Sequence, residues 1–332
     1  MTDDVAALAF AGLQPEDIVA TLSDLGFDCD GRFLTLNSYE NRVYQIGIEN
    51  ERPVVAKFYR PGRWSDESIL EEHQFSIDLA AQEIPVIPPL EIEGSTLNHA
   101  GPFRLAVFPC HGGRSPDLDN YELLTQLGHL VARIHLEGEG SSFVHRPRID
   151  IESYGVDSMD FLLENDFIPD ENYDAYESVA ELVLDGVEAS FERAGDTREI
   201  RLHGDFHPGN VLVNQDRLHI VDLDDCRHGP GVQDLWMFLS GDRIEQTPQL
   251  EALLEGYQSF RSFDPRELHL IEALRSLRIM HYSAWLARRW EDPAFKVAFP
   301  WFDSPRYWDD HILALREQVA LMQEPPLEWR DF

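Results

Sequence analysis

Lysine is almost absent from this chain. Among 332 residues only Lys57 and Lys296 are lysines, so 25 of the 27 basic residues are arginines. A compact, strongly hydrated ammonium is thus kept at two positions, and one of them, Lys57, lies in the β-branched stretch Pro53-Val-Val-Ala-Lys-Phe-Tyr59, which reads as a strand. Cysteine is scarce too. Cys29, Cys110 and Cys226 are scattered, odd in number and without C-x-x-C spacing, which excludes a disulfide framework and a zinc ribbon and predicts a reducing compartment. Long apolar runs are missing, and the opening MTDDVAALAF is acidic with no basic region before an apolar core. A soluble, cytoplasmic protein is expected. There is no internal repeat and no low-complexity segment.

Positive charge of any kind is in short supply. Against 27 Lys and Arg stand 61 Asp and Glu, a formal net charge of −34, which argues against nucleic acid or an anionic membrane as partner. Any polyphosphate ligand must meet positive charge supplied locally. Acidity with arginine in place of lysine is a pattern of salt-adapted proteins and equally of skewed genomic composition. The length and a 43% hydrophobic content are enough for a sizeable core in two lobes.

The segment Arg201-Leu-His-Gly-Asp-Phe-His-Pro-Gly-Asn-Val-Leu-Val213 places His203, Asp205 and His207 at alternating positions. On an extended segment three such side chains point one way and could form a metal cage. A second reading takes Asp205 and Asn210, in the D-x-x-x-x-N spacing of a phosphoryl-transfer catalytic loop, and adds Asp222 at the end of the short apolar strand Leu218-His-Ile-Val-Asp222. Twelve residues separate Asn210 from Asp222, room for a hairpin that returns one beside the other. Asp205 then accepts the proton of an attacking hydroxyl, Asn210 and Asp222 hold Mg²⁺ against the phosphates of ATP, and Lys57 neutralises the α- and β-phosphates. The oxygen donors suit Mg²⁺ better than zinc, and a loose transition state needs this kind of positioning and charge neutralisation.

Around these residues the chain predicts an α+β architecture. Pro15 to Leu25 reads as a helix ending at Gly26, Phe33 to Leu36 and Arg42 to Ile48 as strands joined by Asn37-Ser-Tyr-Glu-Asn41, and Lys57 lies on a third strand. Ser65 to Ala80 reads as a helix capped by Ser65, with Glu71 and Glu72 near its middle, and two more strand-like runs follow to Val107. This gives an N-terminal antiparallel-sheet lobe over 1–107, a hinge at 108–113 and a larger, mainly helical lobe over 114–332, with helical patterns at 121–135, 172–194, 247–260 and 267–290. His135 reads as a core histidine, His203 as a loop-packing residue and His207 as a loop residue near substrate. Arg275, Arg278, Tyr282 and Trp285 are candidates to line an acceptor cleft, although a packed helix with an arginine-rich outer face accounts for them as well.

HGDFHPGN followed by IVDLDD resembles the aminoglycoside and choline phosphotransferase branch of the kinase superfamily, and the resemblance covers nearly the whole chain. More narrowly, LNSYENRVYQ, VAKFYRPGRW, ILEEHQF, RLHGDFHPGN, VDLDD and GPGVQDLWM, with WEDPAF and QEPPL, are similar to the bacterial stress response kinase A family. The resemblance implies a bilobal protein-kinase-like fold and an ATP- and Mg²⁺-dependent serine/threonine protein kinase, a monomer whose acceptor is another protein or itself. It implies Asp205 as proton acceptor, Asp222 as catalytic and metal-binding, Asn210 as metal ligand and Ser38 as an ATP contact. Glu72, with Glu71 still open, is implied as the partner of Lys57, and Asp234 as a brace of the catalytic loop.

Two departures bear on function. The turn LNSYENRVY has no glycine, so a phosphate clamp there must use Ser and Asn donors, and Gly204 stands where many protein kinases carry the arginine that reads activation-loop phosphate. Only a short segment separates Asp222 from the helix starting near Val232, so no activation switch is expected. The residues themselves leave the acceptor open between a protein hydroxyl and a small-molecule hydroxyl such as an aminoglycoside, choline or homoserine.

Overall fold

A computed structural model describes residues 9–215 and 217–329, so most of the amino-terminal stretch read for targeting lies outside the described residues. Helix α1 (Pro15–Asp24) precedes strands β1 (Cys29–Thr35), β2 (Arg42–Ile48) and β3 (Val54–Phe58), followed by α2 (Asp66–Ala81), β4 (Asn98–Ala100) and β5 (Phe103–Pro109). Next come α3 (Tyr121–Gly138), α4 (Asp157–Glu164), α5 (Asp170–Ala194), β6 (Glu199–Leu202), β7 (Val211–Asn214), β8 (Arg217–Ile220) and β9 (Arg227–Pro230). Helices α6 (Gln233–Trp236), α7 (Arg243–Gln258), α8 (Ile271–Ala287), α9 (Pro293–Ala298) and α10 (Pro305–Leu321) complete the order. The chain divides into two compact units: Met1–Pro116 with Val144–Arg146 and Pro208–Asp225, and Asp117–Phe143 with Pro147–His207 and Cys226–Phe332.

The first unit is built on an antiparallel sheet of order β1-β2-β3-β5-β4. Alternation along β3 decides what each face carries. Val54, Ala56 and Phe58 join Ile18 and Leu22 of α1 in one core, whereas Tyr59 packs with Ile69 of α2 and Ala106 of β5 in another. Lys57, between Ala56 and Phe58, therefore belongs to the α2 side. Ser65 caps α2, its hydroxyl accepting the Ser68 N–H at 3.2 Å, and Asp66 and Glu67 occupy the first turn. The hairpin β7–β8 is pinned to this unit by the Ile87 N–H on the Ile220 carbonyl (3.1 Å), the Ile220 N–H on the Pro85 carbonyl (2.8 Å) and reciprocal bonds between Arg114 and Val213.

In the second unit α3 and α7 pack through two glycines. A Cβ on Gly128 would sit 1.9 Å from the Leu253 carbonyl oxygen, and one on Gly256 would sit 1.9 Å from that of Thr125, so the backbones touch where side chains are missing. A second core gathers Tyr176 and Val183 of α5, Leu277 and Met280 of α8, and Trp308 and Leu315 of α10. The pattern expected as one helix over 267–290 is split. Asp264 accepts the Arg266 N–H, and a 3-10 turn over Pro265–Leu270 lets Glu267 turn inward before α8 begins. Helices α4 and α10 went unassigned in the sequence, although α10 carries a readable start, Ser304 capping ahead of Pro305. Among the described residues no helix is long and apolar enough to cross a membrane.

Gly256→Ala should destabilise the second unit by about 2 kcal/mol, the cost of parting two packed helices, read as a lower midpoint in denaturant unfolding. Gly112→Ala, whose added Cβ meets nothing within 4 Å, should leave that midpoint nearly unchanged.

Candidate active site

Lys57 is the centre of the first unit's polar interior. Its side chain is 7% exposed, and its Nζ lies 2.9 Å from Asp224 Oδ1, 3.1 Å from Asp222 Oδ1 and 3.2 Å from Glu72 Oε1. Burial pulls the Lys57 pKa down, but Asp224 and Glu72 together more than offset it and hold the ammonium well above its ordinary range. Two arginines complete the neutralisation. Arg146 donates to Glu72 Oε2 at 3.0 Å and to the Asp224 carbonyl at 2.6 Å, while Arg63 pairs with Asp224 Oδ2 and, at 2.7 Å, with Asp225. Burial favours the neutral acid at Asp224, yet Lys57 and Arg63 overcome it and bring its pKa to about 2. The Trp64 ring lies 4.4 Å from the Arg146 guanidinium and 5.1 Å from that of Arg63, a flat apolar contact for both.

Glu72, not Glu71, reaches Lys57. Adjacent helical residues differ by about 100° in direction, and Glu72 is buried on the face of α2 that also buries Ile69, Phe75 and Leu79. Glu71 points elsewhere and accepts the backbone N–H groups of Val144 (2.6 Å) and His145 (2.8 Å). It thereby anchors the segment that brings in Arg146. Behind Glu72, Tyr59 hydrogen-bonds His73 at 2.8 Å, and burial with the nearby Lys57 charge lowers the His73 pKa to about 3, so this imidazole is neutral.

The hairpin brings Asn210 and Asp222 to one end. Val211 pairs with Ile220, and the Val221 N–H donates to the Asn210 carbonyl at 3.0 Å, which continues the ladder one step to both residues' neighbourhood. Asn210 is 9% exposed; Asp222 is 51% exposed at its side chain and holds φ at +64°, a left-handed conformation that Asp tolerates better than most residues. An amide oxygen and a half-open carboxylate are hard donors, and they fit a Mg²⁺ ion that completes its shell with phosphate oxygens and water. Ser38 lies half-buried in the β1–β2 connection. That connection is tied down by Arg60, whose N–H donates to Asn41 Oδ1 at 3.0 Å and whose Nε donates to the Glu40 carbonyl at 3.0 Å.

Asp205 belongs to the second unit, five residues before Asn210. Its loop is braced by Asp234, 1% exposed, which accepts the N–H groups of His203 (2.8 Å) and Gly204 (2.9 Å). His135 Nε2 is 3.3 Å from the same carboxylate and its Nδ1 is 2.8 Å from the Tyr257 hydroxyl, so the α3–α7 packing holds the brace. Gly204 adopts φ +83°, which a side chain there would oppose. Glu267 accepts the Val232 N–H at 2.7 Å from beneath. The three alternating residues do not form a cage: His203 is buried with its ring 4.9 Å from Phe206, whereas Asp205 pairs with Arg278 at 2.5 Å and with His207 at 3.5 Å. Among the described residues no group of three or more His, Cys, Asp or Glu is arranged to hold a metal ion.

Sequence reasoning named Lys57, Glu72, Asn210, Asp222, Asp205 and Asp234, and missed the roles of Arg63, Arg146 and Asp224. Asp224 had a weak signal in the acidic run after Asp222. Arg146, 74 residues from Glu72, had none. Arg278 was noted, but its pairing with Asp205 was not foreseen.

The chain belongs to the phosphotransferase enzyme family, whose profile matches residues 33–271. It is 43% identical to stress response kinase A of Escherichia coli (strain K12) over 324 residues, which cover 97% of this chain and 98% of that protein. It is 41% identical to serine/threonine protein kinase RdoA of Salmonella typhimurium over 322 residues, 97% of each chain. The protein is an ATP-dependent kinase. Its fold is similar to that of the amicoumacin kinase hAmiN, with a TM-score of 0.73 at 20% identity covering 100% of this chain and 98% of that one. A microcompartment-associated aminopropanol kinase matches with a TM-score of 0.70 at 18% identity, over 92% and 96% of the two chains.

Glu72→Gln should lower kcat/KM for ATP at least about tenfold, since Lys57 loses a charged hydrogen bond, whereas Glu71→Gln should lower thermal stability and leave that constant near wild type. Equal kinetic losses in both would remove Glu72 from its place. Burial pushes the Glu267 pKa from 4.5 up to about 7, against the pull of the Val232 N–H. A raised folded-state value means that its contribution to stability is complete below pH 4.5 and is lost as pH rises through about 7. Glu267→Gln keeps an acceptor for Val232 without the charge. Its melting temperature should exceed wild type at pH 8, and the gap should close toward pH 5.

Proposed function

We propose that this kinase transfers the γ-phosphate of Mg-ATP to a serine or threonine hydroxyl of a protein, itself included, with Asp205 as the proton acceptor. The observation that carries the chemistry is the Lys57 contact with both Glu72 and Asp222, which orders a cation and a half-open carboxylate at the end of the hairpin holding Asn210. Lys57 binds the α- and β-phosphates, and Ser38 contributes a hydroxyl donor from the β1–β2 connection. Asn210 and Asp222 would hold a Mg²⁺ ion, which would supply charge neutralisation for the phosphates. Asp205 lies five residues before Asn210, a step of at most roughly 18 Å of chain. It takes the proton as the acceptor oxygen forms its bond to phosphorus and the bond to the ADP oxygen breaks. Asp234 acts through Asp205, by fixing the backbone of the loop that carries it.

A protein acceptor is supported by the names and near-complete coverage of relatives at 41–43% identity, one of them called a serine/threonine protein kinase. A small-molecule acceptor is favoured by one structural feature, the ten residues between Asp222 and α6, which leave little chain for a peptide platform. Asp205→Asn should keep ATP binding and lose at least about a hundredfold in turnover, measured with radiolabelled ATP and mass spectrometry of the products. Asp222→Ala should instead weaken Mg²⁺-dependent nucleotide binding. Wild-type turnover by Asp205→Asn, or phosphate found only on a small molecule, would overturn the proposal in its first or second part.

A further inference from the structure

Asp205 is already paired in this structure. Its Oδ1 is held by Arg278 of α8 at 2.5 Å, and a guanidinium there competes with an arriving hydroxyl for that oxygen and lowers its basicity. The Arg278 side chain is 41% exposed, so a second anion can approach it from solvent. The surroundings suit such an anion. Arg278 borders an open cavity of about 400 Å³ lined from α6, α8 and α10, with Trp236, Tyr282 and Tyr307 as its aromatic residues and Arg275 and His311 also in the lining.

Arg275 and Arg278 are three residues apart on α8 and share a face. Arg275 lies over the Trp236 ring at 4.9 Å and donates through Nε to Glu272 at 3.1 Å. Its NH2 nitrogen is buried and has no hydrogen-bond partner among the described residues. A buried charged donor left unmatched is costly, and a carboxylate entering the cavity would match it. Other polar groups also line the wall. The Ser283 hydroxyl contacts the Tyr307 hydroxyl at 2.6 Å, the Asp310 carboxylate is 3.6 Å from Arg306, and burial keeps His311 neutral with a pKa of about 4. The net charge of −34 makes the long-range field unfavourable to anions, so any selection for them must come from contacts at this short range.

We propose that Arg275 and Arg278 select acceptors whose serine or threonine is flanked by acidic side chains, and that Arg278 passes from Asp205 to an acceptor carboxylate as the hydroxyl arrives. Arg278 is thus a specificity-determining residue that also keeps the base occupied when no acceptor is present. The inference rests on the reading of this enzyme as a protein kinase. A rival role, in which Arg278 stays on Asp205 and only positions it, predicts a loss that is the same for every acceptor.

The test is a positional-scanning library of serine and threonine peptides, phosphorylated with radiolabelled Mg-ATP by the wild type, Arg278→Gln and Arg275→Gln, each first checked for native circular dichroism. The wild type should favour Asp or Glu over Asn or Gln at one or more positions near the acceptor by about tenfold. Both variants should flatten that preference, with Arg275→Gln serving as the probe that does not touch Asp205. Wild-type selection for basic or neutral residues, or acidic selection that survives both substitutions, overturns the inference and leaves the kinase reading standing. A uniform fall in turnover for Arg278→Gln with unchanged acidic preference assigns it the positioning role. Transfer to no peptide in any pool overturns the protein-acceptor reading, and this inference with it.

Discussion

One buried ammonium organises the polar interior of the first unit. Lys57 brings three carboxylates within 3.2 Å, and ions taken from water cost several kcal/mol each unless they are matched in geometry and number. Matching requires more than the lysine. Arg63 and Arg146 supply the missing charge, and each comes from a different part of the chain: the turn after β3 and the short segment Val144–Arg146. Strand, helix, hairpin and inserted segment are therefore held by the same set of charges, and removing any member leaves another buried and unpaired. Planar arginines make the contacts that span two residues, Arg63 to Asp224 and Asp225 and Arg146 to Glu72 and Asp224, while the compact ammonium of Lys57 sits among the three carboxylates.

Asp205 depends on a different kind of constraint. Its loop backbone hangs from the two oxygens of Asp234, Asp234 contacts His135 of α3, and His135 in turn contacts Tyr257 of α7. Those helices approach closely only because Gly128 and Gly256 lack side chains. Packing in the helical unit thus reaches the loop of Asp205 through a short chain of hydrogen bonds. Where the first unit is stabilised by charge, the second is stabilised by close contact, and both end at residues five positions apart in the chain.

An overall charge of −34 sits uneasily with an enzyme that uses a polyphosphate. The structure meets this locally: the described cations near the site are paired with carboxylates, so they are poised by geometry and not by a broad positive field. The same holds in the second unit, where Arg278 pairs with Asp205 and Arg275 with Glu272 beside a cavity lined by aromatic residues.

Much of this was legible in the sequence. The β-branched stretch Pro53–Tyr59 marked the strand that carries Lys57, and the D-x-x-x-x-N spacing with a later strand-end aspartate singled out Asp205, Asn210 and Asp222, because such signals are local to a few residues. Between Glu71 and Glu72 the resemblance favoured Glu72 but left Glu71 open, and the buried face of α2 with Ile69, Phe75 and Leu79 is where Glu72 lies. The sequence determined which charged groups exist and in what order they meet the chain. Tertiary structure alone decided that Glu71 anchors a backbone while Glu72 faces Lys57, that Arg146 crosses 74 residues to reach it, and that Arg278 closes on Asp205. The physical reason is reach. Arginine and glutamate side chains are long and flexible, and their partners are chosen by burial and by the neighbours that packing brings within about 3 Å, information that no local pattern of residues contains.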